Sequence, residues 1–340
     1  MDIPDVDGFL IDLNLCGAQY CKDGRFRFEC FPTNSDGKWF IAICVNTRKT
    51  PYRIENSEIL KGDEVLAYLK NFEKDVIELA YFRKNGKVMT LNSNQRRFCS
   101  GCKFCGVSQQ ESRYLASLLD RDLLEAYFEE LSQTCNFEDL EEIALCTGCF
   151  PKEKYLIEHL YDIHDVASEH GFGGEIKFIG SELSRDGLKE IARKIPDFSY
   201  YFTIEVFTNR DIFLNPKKRV PLDEIERTLQ FAKNQGFDTS FLYIIGLEPL
   251  EIYERGLRRF KKDVTRFPVI NIFQNYHKEQ EKHRVGKTLD YYLKARKIAE
   301  SVFEDTDLKP RVWECYRSLW YSEYRGEKLD YDLQTFESGC

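Results

Sequence analysis

Three cysteines stand close together in the stretch Arg96-Arg97-Phe98-Cys99-Ser100-Gly101-Cys102-Lys103-Phe104-Cys105-Gly106. A loop this tight can turn three thiols toward one centre. Thiolates are soft ligands, suited to iron–sulfur clusters and to zinc. A [4Fe–4S] cube held by Cys99, Cys102 and Cys105 keeps one iron open for a further ligand. A structural zinc site normally takes four ligands. Here the fourth could come from Cys146 or Cys149, themselves a Cys-x-x-Cys pair. The zinc alternative describes a metal-stabilised binding protein with no catalysis.

The chain has 12 cysteines in 340 residues. No basic segment followed by an apolar run opens it, so a cytoplasmic location is expected. Disulfides are rare in that compartment, which raises the weight of metal binding or thiol chemistry. Cys16, Cys21 and Cys30 match no ligand spacing and are expected to be buried as small apolar side chains. The net charge is -8. That argues against a large nucleic-acid surface, which needs basic residues. The apolar runs are too short to span a bilayer.

The elements that must position the thiols fall into two textures. Residues 26–31 and 39–45 read as strands, and residues 60–79 carry apolar positions at three- and four-residue steps that predict a helix. Residues 1–85 are therefore expected to form a small α+β domain. From residue 86 strands and helices alternate. Strands are predicted at 87–91, 142–146, 175–180, 200–207, 239–245 and 268–275. Helices are predicted near 120–133, 152–169, 184–194, 222–235, 250–265 and 288–304. Six such units imply a parallel sheet with its active site at the carboxyl ends of the strands. The expected α/β fold is a partial (β/α)6 TIM-like barrel over residues 86–308. An aromatic C-terminal extension, 309–340, follows it and can close the open side.

The triad follows the first strand of this array. In that position it resembles the signature of the radical S-adenosylmethionine (SAM) superfamily, three cysteines with an aromatic residue before the last. Cys102-Lys103-Phe104-Cys105 matches the second half, Phe104 included. The first gap is two residues, one shorter than usual. The resemblance covers about residues 86–280. It implies that Cys146-Thr147-Gly148-Cys149-Phe150-Pro151 occupies the place of the loop that binds the amino group of SAM. Thr147, Gly148 and Pro151 fit the pattern, while Cys149 and Phe150 replace a glycine and a glutamate. Cys149 is thus either a substitute for that glycine or a thiol facing the chemistry. Glu205 is similar to the strand-four glutamate of the branch related to biotin synthase. Arg227 then matches an arginine facing the cofactor, with Arg210 and Arg219 as competitors. Ile244 and Gly246 match the adenine-binding strand. His277, at the predicted mouth, is a candidate for substrate contact or a surface residue.

The implied mechanism is reductive cleavage of SAM at a [4Fe–4S] cluster, giving a 5'-deoxyadenosyl radical that abstracts a hydrogen atom. The implied partners are an electron donor such as flavodoxin or ferredoxin and a small-molecule substrate, as in natural-product or cofactor biosynthesis. Modification of a peptide or tRNA is the alternative, with residues 1–85 as the recognition module. No cysteine-rich extension for auxiliary clusters is visible, and residues 1–85 are too few for a usual cobalamin-binding domain.

Overall fold

The computed structural model describes residues 3–47, 49–94, 102, 104–105, 117–147, 149–181, 183–214, 220–275 and 278–339. Helix α1 (Asp5–Cys16) opens the chain and buries Val6, Leu10 and Leu13, spaced to share one face. Gly17 ends the helix at φ +64, and a side chain there would strike the Cys44 carbonyl.

Six strands follow: β1 (Ala18–Gln19), β2 (Gly24–Pro32), β3 (Trp39–Asn46), β4 (Arg53–Glu55), β5 (Glu58–Lys61) and β6 (Glu64–Lys74). They close into a barrel in the order β1-β3-β2-β6-β5-β4. The helix expected over residues 60–79 is therefore a correction. Gly62, at φ +63, turns β5 into an antiparallel β6. Within β6, Ala67 and Leu69 are buried, whereas Tyr68 (52% exposed) and Lys70 face outward. That alternation is the period of a strand. The helical spacing arose from running two strands together across the turn.

The larger sheet begins with the hairpin β7 (Ala80–Arg83) and β8 (Val88–Leu91). It continues through α2 (Arg121–Ser132), β9 (Glu142–Leu145), α3 (Glu153–Glu169), β10 (Glu175–Gly180) and α4 (Arg185–Lys194). Then come β11 (Phe198–Glu205), a short α5 (Arg210–Phe213), α6 (Leu222–Asn234), β12 (Asp238–Ile245), α7 (Leu250–Phe260), β13 (Val269–Ile272) and α8 (Leu289–Val302). The six expected strand–helix units are present within a few residues of their predicted bounds. Strands β8 to β13 are parallel neighbours in sequence order. Among the described residues this sheet is open, and the closed barrel is the N-terminal one. No helix among them is long and apolar enough to cross a membrane.

The C-terminal segment covers the face of the sheet that the helices leave bare. After the short hairpin β14 (Glu323–Tyr324) and β15 (Glu327–Lys328), β16 (Glu337–Ser338) pairs with β7 at one edge. At the other edge Ile272 N donates to the Arg317 carbonyl at 2.7 Å. Between them lies a buried charge network. Lys177, 1% exposed, donates from Nζ to Glu142 and Glu314, both at 2.7 Å. Arg311 reaches Glu314 at 3.0 Å and Glu142 at 3.3 Å. Above the network, Cys315 packs with Tyr201, Val269, Ile179 and Leu242.

Burial pushes the Glu142 carboxyl up, but Lys177 and Arg311 outweigh it and hold the group at about 2. Its folded pKa is thus below the ordinary 4.5. The associated stability is fully present above that value and is lost as pH falls toward the folded one. Glu142→Gln is expected to flatten the fall of the urea midpoint on acidification. Lys177→Met is expected to lose about 3–5 kcal/mol, because it strands two buried carboxylates. An unchanged urea midpoint for Lys177→Met would show that the network does not hold the tail.

Candidate active site at the carboxyl ends of the parallel strands

The chain leaves β8 through three buried polar residues, Asn92, Ser93 and Asn94. Asn92 Nδ2 donates to Glu78 O at 2.8 Å. The Ser93 carbonyl accepts from Leu118 N at 2.8 Å and from Ser117 Oγ at 3.1 Å. The two ends of the cysteine-bearing loop are thereby tied together. Ser93 Oγ also shares a hydrogen bond with His159 Nε2 at 2.6 Å. Burial pulls His159 down to about 4, so its imidazole is neutral at neutral pH and pins α3 to the loop stem.

Cys105 N donates to Cys102 O at 2.9 Å, the i+3 to i bond that closes a tight turn. Phe104, 9% exposed, packs with Val206, Phe213, Leu214, Ile244, Leu247 and Phe273. Cys102 and Cys105 lie against the same cluster. Four of the residues singled out from the sequence, Cys102, Phe104, Cys105 and Ile244, are thus brought together. Cys99, Gly148, Arg219 and His277 lie outside the described residues, and no group of three His, Cys, Asp or Glu gathers among those described. Thr147 and Cys149 are half-buried beyond β9, and the Cys149 carbonyl lies 3.5 Å from Asn94 Nδ2. Of the early cysteines, Cys30 is buried and Cys16 half-buried, but Cys21 is exposed.

Glu205 ends β11 at a bulge, at φ +67. Val206 N donates to Ile204 O at 2.8 Å. An i+2 to i bond around a central residue with positive φ is a γ-turn of the rare, strained kind. Strain of this type persists only where surrounding contacts over-determine it. Arg210 Nη1 supplies them, donating to Ile204 O at 2.7 Å and to Val206 O at 2.9 Å, on both sides of Glu205. Burial lowers the Arg210 pKa, against the opposing pull of Glu205, Glu248 and Cys102. Arg227 is elsewhere. Its side chain is 57% exposed and holds Glu224 three residues back along α6.

Gly246, at φ +113, has a packing reason for its identity. A Cβ there would sit 2.5 Å from the Tyr292 hydroxyl. Its carbonyl accepts from Val285 N at 2.8 Å and Gly286 N at 3.0 Å. Two residues on, Glu248 is fully buried. It accepts from Phe207 N at 2.8 Å, Thr208 N at 2.5 Å, the Thr208 hydroxyl and the Tyr243 hydroxyl at 2.9 Å. It welds the loop after β12 to the loop after β11. Neither this role nor the Arg210 clamp was assigned from the sequence. The signal available was a carboxylate two residues beyond a strand-ending glycine.

The donor set suits a thiolate-bound iron centre. Two thiols share one turn on an apolar floor. Asn94 Oδ1 and Thr203 Oγ1 are buried without a hydrogen-bond partner among the described residues. Both follow or end parallel strands at this mouth, and such atoms ask for a polar ligand.

No protein-family model matches the chain, and no curated protein matches it. Solved structures do. HydG, the FeFe-hydrogenase maturase from Carboxydothermus hydrogenoformans, matches at 16% identity and a TM-score of 0.47, over 66% of this chain and 53% of its own. Streptococcus suis SuiB bound to S-adenosylmethionine matches at 10% identity and 0.43, over 65% and 49%. anSMEcpe with bound AdoMet matches at 11% and 0.44, over 64% and 59%. The chain spans about half the length of the first two proteins. At these identities and scores the likeness assigns neither activity nor substrate.

The γ-turn makes a stability prediction. Glycine normally weakens a strand relative to alanine, but a left-handed conformation costs an alanine roughly 1–2 kcal/mol. Glu205→Gly is therefore expected to unfold at higher urea than Glu205→Ala, by about 1 kcal/mol. The opposite order would mean that the turn relaxes freely.

Proposed function

We propose that this chain is a radical SAM enzyme acting on a small molecule. Its partial barrel, over residues 86–308, binds a [4Fe–4S] cluster through Cys99, Cys102 and Cys105. The observation that carries this is the seating of the Cys102–Cys105 turn on Val206, Ile244 and Phe273, at the carboxyl ends of three parallel strands. Ligands of parallel α/β sheets bind at that end. When bound, the cluster and SAM supply a one-electron cleavage that generates a hydrogen-abstracting group. An electron donor such as flavodoxin or ferredoxin serves it.

The chain's own residues bind, orient and exclude water. Phe104 and Phe273 shield the thiols from solvent. Ile244 offers an apolar wall for the adenine. Thr147 and Cys149, with Gly148 between them, present backbone carbonyls that can accept from the ammonium of SAM. Glu205 is aimed by its strained turn. Of the arginines, Arg210 is favoured over Arg227 for the carboxylate of SAM, since it is part-buried and held on the carbonyls either side of Glu205, whereas Arg227 is exposed. A fork of guanidinium donors suits a carboxylate.

Anaerobic reconstitution is expected to give about four irons and four sulfides per chain. Alanine at Cys99, Cys102 or Cys105 should abolish the cluster. Zinc without iron or sulfide would replace this proposal with the binding-protein alternative. Arg210→Ala should weaken SAM binding at least tenfold with iron content intact, while Arg227→Ala should leave it unchanged. The reverse result would return the role to Arg227.

A further inference from the structure

Asn94, three residues beyond β8, is fully buried. Its Nδ2 donates to the Cys149 carbonyl at 3.5 Å, and its Oδ1 has no hydrogen-bond partner among the described residues. The contact fixes which way the amide faces, since turning it over would set two acceptors against each other. A buried acceptor without a donor costs free energy for as long as it stays empty. The chain thus carries an unmet acceptor beside the loop that follows β9.

In that loop Phe150 stands where the radical SAM pattern carries a glutamate. Its ring belongs to the main core, not to the cluster that includes Cys102 and Cys105. There it packs on the His159 ring of α3, with the centroids 5.8 Å apart. His159 Nε2 shares its hydrogen bond with Ser93 Oγ at 2.6 Å, and Ser93 is the neighbour of Asn94. Cys146 N donates to Leu91 O at 3.2 Å, which joins the same two segments at the strand ends. Phe150 therefore supplies no carboxylate. Through His159 it helps to hold the segment after β8 against the loop after β9.

An ammonium presents three N–H donors and asks for several acceptors. The Thr147 and Cys149 carbonyls can supply two, because a carbonyl has two lone pairs and Asn94 occupies only one of those on Cys149. A glutamate in place of Phe150 would supply a third. Asn94 Oδ1 is an acceptor at the same loop, reached from the neighbouring strand. It lacks the charge of a carboxylate but keeps the hydrogen bond. Burial strengthens such a bond, because the local dielectric is low and no water competes for it.

We propose that Asn94 takes over from the missing glutamate and accepts a hydrogen bond from the amino group of SAM through Oδ1. This role rests on the radical SAM proposal and refines it. The test uses the full chain with its cluster reconstituted. Calorimetry measures the binding of SAM and of a deaminated analogue that keeps the sulfonium and the carboxylate. Asn94→Leu should weaken SAM by about tenfold or more, as a lost hydrogen bond to a charged group does. The same variant should weaken the deaminated analogue by less than about twofold. Asn94→Ala serves if Asn94→Leu does not fold or does not load iron. Equal weakening of both ligands would overturn the role and leave Asn94 as a brace for the Cys149 carbonyl. Unchanged SAM binding would overturn it too, with water as the partner of Oδ1. Either result, with SAM bound by the unaltered chain, leaves the radical SAM proposal standing. Iron and sulfide are measured on the same samples. An unaltered chain that forms no cluster, or forms one and binds no SAM, would sink the radical SAM proposal and the role of Asn94 with it.

Discussion

The structure depends on one buried ammonium. Lys177 sits on the bare face of an open parallel sheet, where water cannot reach it. It must be neutralised from within, and Glu142 on the neighbouring strand supplies only one partner. The second, Glu314, comes from the C-terminal segment. Removing a charge from water costs several kcal/mol, so the segment cannot leave without that penalty returning. The pin therefore fixes residues 311–317 across the sheet. Cys315 then fills the gap above, and the Arg317 carbonyl takes the edge donor of Ile272. An edge strand is covered in the same move, which is how sheets avoid pairing with other chains.

This arrangement separates two demands along the strands. Glu142 and Lys177 lie near the amino ends, where charge is paired and backbone is regular. The carboxyl ends carry the departures from regularity: the γ-turn at Glu205, the positive φ of Gly246, and the buried polar atoms of Asn94 and Thr203. Each departure has a support. Arg210 clamps the turn, Glu248 collects donors from the adjoining loop, and Tyr292 fills the space that a side chain at Gly246 would need. Strain at one end is affordable because the other end is rigid.

Much of this was legible in the residues. The six strand–helix units appear because buried parallel strands read as apolar runs and their helices as amphipathic ones. The Cys-x-x-Cys turn with its aromatic is legible because the turn itself is local. The failures share a cause. Residues 60–79 spread their apolar positions over two strands and a glycine turn, which mimics a helical period. Helix α1 was hidden by its acidic residues, one of which, Asp7, is buried and holds Arg296 and the backbone N–H groups of Tyr321 and Ser322. Arg227 fits the spacing of a family pattern, and α6 presents it to solvent. Arg210, a competitor for the same role, clamps a backbone kink that no spacing reveals. Buried polar contacts between distant segments leave almost no local signature.

The N-terminal barrel is coupled to the site rather than appended to it. Asn14 on α1 donates to the Tyr321 hydroxyl at 2.8 Å and accepts from Gln274 at the same distance. Trp39 Nε1 donates to the Tyr321 carbonyl at 3.1 Å. These bonds join helix, barrel, tail and the end of β13 in one buried network, where a lost partner leaves a desolvated polar group behind. The barrel therefore cannot swing away from the sheet without breaking several such bonds together. The face bearing Arg25 and Cys44 is held at a fixed distance from β13, and Phe273 on that strand's end is held against the Cys102–Cys105 turn. A floor positioned this way does not have to be ordered again each time a ligand arrives, which lowers the cost of binding.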